Sequence, residues 1–244
     1  MIGRDGFVVF DAEPSVARWA QAAARVARQI AADPAKQAAN LRHGDTWFVG
    51  VDALPNDVIG AIEGVPLRGP WEDHVPLLHH HAAQLSIIYP GYPQQDPDQS
   101  DANHAYRIKR HAAHVDGLLP DGPERRRYAR EFHAYILGLP LNLAPQAPTV
   151  IWPGSHVIMQ AAIADTIAGR EVGEVDLTDA YHAARKEVFA QIEPVPITAT
   201  PGQSFLIHRF ALHGTAPWDG PDGPERTIAF FRPEFDDPAD WLAP

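Results

Sequence analysis

Residues 201–218 read PGQSFLIHRFALHGTAPW. Pro201 and Gly202 supply a turn, and Ser204 to His208 is an apolar run of strand length, too short for a typical helix. The same unit recurs along the chain. TWFVG from Thr46, QLSIIYP from Gln84, AYILGLP from Ala134, TVIWPGSH from Thr149 and TIAFFRP from Thr227 are short apolar runs, each broken by Pro, Gly, Asn or Asp nearby. Many short strands with turn signals between them predict a mainly β fold with flanking helices, a double-stranded β-helix or jelly-roll barrel. Two stretches depart from this texture. Residues 15–40 are Ala-rich with apolar positions at helical spacing and Ser15 placed to cap, and residues 165–192 contain DLTDAYHAARKEVFAQI, which has helical periodicity. They predict an N-terminal helical region and a helical insertion in a single domain spanning 1–244.

Composition narrows the chemistry. A chain of 244 residues with 45% hydrophobic residues can bury one sizeable core. The absence of cysteine removes thiolate nucleophiles, Cys-ligated zinc, iron–sulfur clusters and disulfides, so a metal must be held by His, Asp or Glu. Thirteen histidines make such a metal more plausible than usual. The balance of 20 Lys and Arg against 31 Asp and Glu, net -11, argues against nucleic-acid or anionic-membrane binding. The opening MIGRDGFVVFDAEP lacks the pattern of a secretory signal, and no window approaches the roughly 18 apolar residues of a membrane span. The expectation is a soluble, cytoplasmic protein.

In YRIKRHAAHVDG, His114 and Asp116 are two residues apart, so on an extended strand both point to one face. Read alone, the triplet is more often a polar strand end than half a metal site. The stretch from Pro201 adds His208 and His213, either of which could return to the pair across the intervening strands. Two His and one carboxylate on one face of an ion form the facial arrangement of non-haem Fe(II) oxygenases. Arg226 then opens the run RTIAFFRP with Ile228 and Phe230 on its face. A surface Arg paired with Glu225 or Asp222 is the plainer reading, and a bidentate clamp for a carboxylate is the functional one.

These segments together resemble the phytanoyl-CoA dioxygenase-like family of Fe(II)- and 2-oxoglutarate-dependent oxygenases. HVDG is similar to its His-X-Asp strand, PTVIWPGSH to its Pro-Gly-Ser-His turn, PGQSFLIHRFALHGTAPW to the segment bearing the distal iron ligand, and ERTIAFFRPEF to the strand bearing the 2-oxoglutarate arginine. DGFVVF also resembles the family's start. The resemblance implies His114, Asp116 and His213 as iron ligands and catalytic centre, with Arg226 holding the distal carboxylate of 2-oxoglutarate and Thr215 as a weaker candidate for the same carboxylate. It selects His213 over His208 through the His-Gly-Thr tripeptide, and gives His156 a structural place in its turn. The implied activity consumes O2 and 2-oxoglutarate, releases succinate and CO2, and oxidises a small organic molecule. Asp116, where Gly or Ala would open a halide site, favours hydroxylation. A noncatalytic jelly-roll scaffold and a cupin-type metalloenzyme without 2-oxoglutarate are the alternatives.

Other features have plainer readings. Three consecutive histidines, His79 to His81 with His74 nearby, cannot all face one ion on regular structure and suggest a loop or strand edge near the pocket. His111, three residues before His114, falls on the opposite face of a straight strand. Arg107, Lys109 and Arg110 alternate on what reads as the strand entering the His-X-Asp motif, and Arg125, Arg126, Arg127 and Arg130 follow. Either group could receive an anionic substrate, although a solvated, ion-paired surface is the default. Trp47, Trp71, Trp152 and Trp218 fit either pocket or core.

Overall fold

The computed structural model describes residues 2–243. The elements run β1 (Phe7–Phe10), α1 (Pro14–Ala32), α2 (Pro34–Asn40), β2 (Leu41–Arg42), β3 (Trp47–Gly50), β4 (Gln84–Ile88), α3 (Asp101–Arg110), β5 (Leu118–Asp121), β6 (Arg126–Ala129) and β7 (Tyr135–Pro140). They continue with β8 (Thr149–Ile151), α4 (Ser155–Ile167), α5 (Thr178–Gln191), β9 (Val195–Ile197), β10 (Ser204–His208), β11 (His213–Thr215) and β12 (Arg226–Phe231). A seven-stranded sheet has the order β1-β10-β7-β12-β4-β3-β2, and a three-stranded sheet the order β11-β8-β9. Every ladder in both is antiparallel. Strands far apart in sequence lie side by side, as a jelly roll requires, but the two sheets face each other as a sandwich and the ladders do not close into a barrel.

Period-two alternation decides what each strand buries. On β12, Ile228 and Phe230 face the small sheet and meet Ile136, Phe205 and Ile207 of the large sheet with Ile151 and Ile197 of the small one. Ala229 and Phe231 point the other way, to a second core with Leu137, Leu139, Leu206 and the α1 residues Trp19, Ala20 and Ala23. The central strands β7 and β12 are thus buried on both faces, which is why they read as continuous apolar runs.

The predicted N-terminal helix is two helices. Pro34 lacks a backbone N–H and biases Asp33 away from helical backbone. Asp33, at φ -75 and ψ 117, instead caps α2 by accepting from Ala35 N at 2.8 Å. Trp19 is anchored by Nε1–H donating to Gly60 O at 2.8 Å. The predicted insertion holds α5, while the preceding helix α4 begins earlier than expected, immediately after the Pro153-Gly154 turn.

Two expectations are corrected. Ser15 does not cap α1, because the helix starts at Pro14 and Glu13 holds the N-cap position. The run carrying Arg107, Lys109 and Arg110 is helix α3, not a strand. Ser100 Oγ caps it by accepting from Asn103 N at 3.3 Å, Asp101 lies in its first turn and the three basic residues in its last, where they complement the helix dipole. The helix stops at His111, which takes a left-handed conformation at φ 54. No described helix is long and apolar enough to cross a membrane.

Candidate metal centre

The site forms where the segment after α3 meets β11. His114 N–H donates to His213 O at 2.9 Å and His213 N–H returns to His114 O at 3.1 Å, an antiparallel bridge that sets the two imidazoles 4.6 Å apart between ring centroids. Two glycines permit this approach. A Cβ on Gly214 would lie 2.2 Å from His111 O, and one on Gly117, which has φ +80, would lie 2.2 Å from Glu131 O. The glycines of the His-Gly-Thr and His-X-Asp-Gly motifs are therefore required by neighbouring backbone. The Pro-Gly-Ser-His segment supports the same strand from behind. Ser155 Oγ accepts from Leu212 N at 2.9 Å, and His156 packs on His208 with centroids 4.7 Å apart.

The structure brings together His114, Asp116 and His213, and no other histidine among the described residues joins them. One potential ligand atom from each lies within 4.8 Å of the others. Asp116 Oδ1 is 3.0 Å from His114 Nε2 and 3.7 Å from His213 Nε2. Both Nδ1 atoms are occupied: His114 Nδ1 meets Ala112 O at 2.9 Å and His213 Nδ1 meets Ala211 O at 2.9 Å. A carbonyl can only accept, so each Nδ1 carries hydrogen and each ring directs its Nε2 toward Asp116 Oδ1. Burial pushes His213 down to about 4, which keeps it neutral at physiological pH. For Asp116, burial opposes the charge, but Arg232 and the two imidazoles outweigh it and hold the carboxyl well below the ordinary range. Two imidazole lone pairs and a carboxylate oxygen converging at this spacing fit a hard-to-borderline divalent ion such as iron.

Arg232, which lies inside the ERTIAFFRPEF segment but receives no role from the resemblance, belongs to the site. Its Nε–H donates to Asp116 Oδ2 at 2.5 Å and its Nη1–H to Gln84 Oε1 at 2.5 Å. It therefore occupies the carboxylate oxygen that faces away from the imidazoles. Its place six residues after Arg226, on the same face of the β12 run by alternation, is the signal that could have found it.

The triad lines a cavity of about 410 Å³ that also includes Trp47, Ile136, Thr149, Thr215 and Phe230. A second cavity of about 490 Å³ holds Arg226, and Thr149 lies in the walls of both. Arg226 is 4% exposed and none of its three guanidinium nitrogens has a hydrogen-bond partner among the described residues, so the surface pairing with Glu225 or Asp222 is not made. Burial lowers it to about 10, still charged at neutral pH. An unpaired buried guanidinium is costly and calls for an anion. Thr149, 3% exposed, likewise carries an unpartnered Oγ1. Thr215 lines the triad cavity but not the Arg226 cavity. The guanidinium and the hydroxyl thus fit the distal carboxylate of a 2-oxo diacid reaching across Thr149.

The remaining candidates surround this centre or lie away from it. His81 lines the triad cavity, 3.7 Å from Asp52, while His80 packs on Phe231 with centroids 4.8 Å apart. His111 leans on Trp152 at 6.0 Å. Trp47 lines the cavity, whereas Trp71 and Trp152 are core residues and Trp218 packs beside Tyr92 and Ala147. None of the basic residues considered for an anionic substrate lines the triad cavity. Arg107 donates to Tyr92 Oη, Arg126 pairs with Asp176, Arg127 donates to Leu118 O, and Arg130 pairs with Asp121.

No family model and no curated protein matches the chain. Among solved structures, the chain is similar to EctD from S. alaskensis with 2-oxoglutarate and 5-hydroxyectoine at 18% identity, covering 94% of this chain and 73% of that one, with a TM-score of 0.45. It is similar to SnoK, a non-heme alpha ketoglutarate dependent carbocyclase from nogalamycin biosynthesis, at 13% identity over 95% of this chain and 80% of that one, with a TM-score of 0.49. The epimerase SnoN, in complex with Fe3+, alpha ketoglutarate and nogalamycin RO, matches at 15% identity over 94% and 80%, with a TM-score of 0.45. At these distances the chemistry of this chain has to be read from its own residues.

Proposed function

We propose that this protein is a non-haem Fe(II)- and 2-oxoglutarate-dependent oxygenase that hydroxylates a small organic molecule. The observation that carries the reading is the pairing of a preorganised His114–Asp116–His213 triad with a buried, counter-ion-free Arg226 behind it, joined through Thr149.

Each residue has a physical task. His114 and His213 present Nε2 because backbone carbonyls hold Nδ1–H, and Asp116 presents Oδ1 because Arg232 holds Oδ2. The charged Arg226 and the Thr149 hydroxyl hold the distal carboxylate of 2-oxoglutarate and thereby aim its keto acid end toward the triad. Bound iron and 2-oxoglutarate supply the activation of O2, with succinate and CO2 as products. Ile136 and Phe230 line the apolar part of the cavity and exclude water from the reacting centre. Asp116 leaves no room for a halide at the third ligand position, which supports hydroxylation over halogenation.

Anaerobic titration with Fe(II) and 2-oxoglutarate tests this reading. A weak visible charge-transfer band that is lost in Arg226→Ala supports it. Fe(II) binding without a band removes 2-oxoglutarate from the scheme, and no binding of either leaves a noncatalytic scaffold.

A further inference from the structure

We propose that the substrate of this site is an uncharged molecule carrying a carbonyl-type oxygen, received by two hydrogen-bond donors that Gln84 and Ser86 of β4 leave open to the triad cavity. The proposal rests on the cavity being an active site and adds the class of molecule that enters it.

Gln84 and Ser86 are two residues apart on β4 and share one face. Their ladder partners on β12 are Phe230 and Ile228, which face the small sheet, so both side chains enter the interior of the sandwich. Both line the triad cavity. Polar side chains on an inward face cost stability unless their hydrogen-bonding groups are matched, and here each is matched by half. Arg232 Nη1–H donates to Gln84 Oε1 at 2.5 Å. A guanidinium can only donate, so the amide oxygen is the end it holds and the Nε2 hydrogens are left over. Trp47 Nε1–H donates to Ser86 Oγ at 3.0 Å. An indole N–H can only donate, so the hydroxyl hydrogen of Ser86 is left over.

Neither leftover donor meets an acceptor among the described residues. Gln84 Nε2 is not among the buried unpartnered atoms, so it opens onto the cavity that Gln84 lines. Ser86 is 2% exposed, so its hydroxyl is shut off from bulk water except through that cavity. A buried donor without a partner calls for an acceptor brought by a ligand. The two side chains cannot turn to offer acceptors instead, because the groups that hold them are themselves fixed: Arg232 by Asp116 Oδ2 at 2.5 Å, and Trp47 by stacking on His43 with centroids 5.7 Å apart. The oxygen they receive is an uncharged one. Arg232, the one Lys or Arg among the described lining residues, is committed, so a carboxylate would find no free cation in this cavity. A ketone, ester or amide oxygen meets both donors, and Trp47, Ile136 and Phe230 form apolar walls for the rest of the molecule. The pair is distinct from the group that holds the distal carboxylate of 2-oxoglutarate, since neither Gln84 nor Ser86 lines the cavity of Arg226.

The test uses the full-length protein with Zn(II) and 2-oxoglutarate, and probe pairs that exchange a carbonyl oxygen for a methylene group: acetophenone against α-methylstyrene, and cyclohexanone against methylenecyclohexane. Saturation-transfer NMR titration gives the affinity ratio within each pair. Following that ratio from wild type to variant cancels the apolar contribution of each probe. Gln84→Glu keeps an acceptor oxygen for Arg232 and replaces the donor end by a second acceptor, whereas Ser86→Ala removes the hydroxyl. The ketone-to-alkene ratio is expected to fall about tenfold in Gln84→Glu and about threefold in Ser86→Ala. An unchanged ratio in Gln84→Glu overturns the proposal, as does binding of neither ketone to the wild type. Should Gln84→Glu fail to fold, the ratio in Ser86→Ala decides in the same way. A loss of 2-oxoglutarate affinity in Ser86→Ala with the ratio unchanged gives the donors to the co-substrate and overturns the assignment. Wild-type binding of 2-oxoglutarate is measured on the same preparation, and the ratios are repeated without metal. Its failure with the fall in the ratios intact removes the oxygenase reading and leaves the donor pair standing; the reverse result removes the carbonyl and leaves the oxygenase.

Discussion

Arg232 grips the carboxylate oxygen of Asp116 that the two imidazoles do not face, with Nε 2.5 Å from Oδ2. This contact crosses from the end of the β12 run to the His-X-Asp segment, 116 residues away in sequence. It fixes which oxygen of Asp116 is free to bind a metal. Arg232→Gln is expected to weaken Fe(II) or Zn(II) binding about 10- to 100-fold, and Arg232→Lys less, because the ammonium keeps the charge but cannot reach Asp116 and Gln84 together. Metal competition titration reads both; unchanged affinity in Arg232→Gln would remove its positioning role.

Arg226 makes an unusual prediction, because the residue that binds the co-substrate costs the empty fold stability. Arg226→Met replaces an unpaired buried charge by an apolar side chain. It is expected to stabilise the ligand-free protein by about 1–3 kcal/mol and to abolish the rise in Tm that 2-oxoglutarate gives the wild type. Thermal unfolding with and without 2-oxoglutarate checks both halves. A destabilised Arg226→Met protein that still responds to 2-oxoglutarate contradicts the assignment.

Thr149 and Thr215 sit opposite each other in the β8–β11 ladder, and of the two only Thr149 reaches the cavity of Arg226. Thr149→Val is expected to weaken 2-oxoglutarate about tenfold with no loss of stability, since its hydroxyl is unpartnered without ligand. Thr215→Val is expected to change that affinity less. Isothermal titration ranks the two; the opposite ranking returns the role to Thr215.

Stability should fall on mild acidification. Burial lowers His80 and His43 to about 4 and His208 to about 3 in the folded protein. An unfolded histidine titrates near 6.5, so between about 6.5 and these folded values the unfolded chain binds more protons and stability rises with pH. Urea unfolding followed from pH 7 down to about pH 4.5 should give a falling midpoint, and His208→Phe should flatten the fall. A flat profile in the wild type would show that these rings are not buried neutral.

The glycine of His-Gly-Thr offers a structural check. A methyl at Gly214 meets His111 O at 2.2 Å, so Gly214→Ala must push the His111–Ala113 turn outward. A cost of about 1–3 kcal/mol with weakened metal binding is expected in equilibrium unfolding and metal titration. Retained metal affinity would mean that the His114–His213 bridge does not depend on this close approach.

Local pattern was enough for the β texture, the helices near both predicted stretches, and the pairing of His114 with Asp116, because short apolar runs, turn residues and period-two alternation are properties of neighbouring residues. The return of His213 to that pair came from the resemblance of several motifs taken together. Local pattern misled at residues 101–110, where alternation in YRIKR suited a strand equally well and the Ser100 cap, with charges matched to the helix dipole, favoured a helix. Three things were decided only by the packed fold: the contact of Arg232 with Asp116, Thr149 shared by two cavities, and Arg226 without a counter-ion. Each depends on which groups are left unpaired after strands distant in sequence have packed, and pairing and burial are properties of the assembled sandwich, not of any one segment.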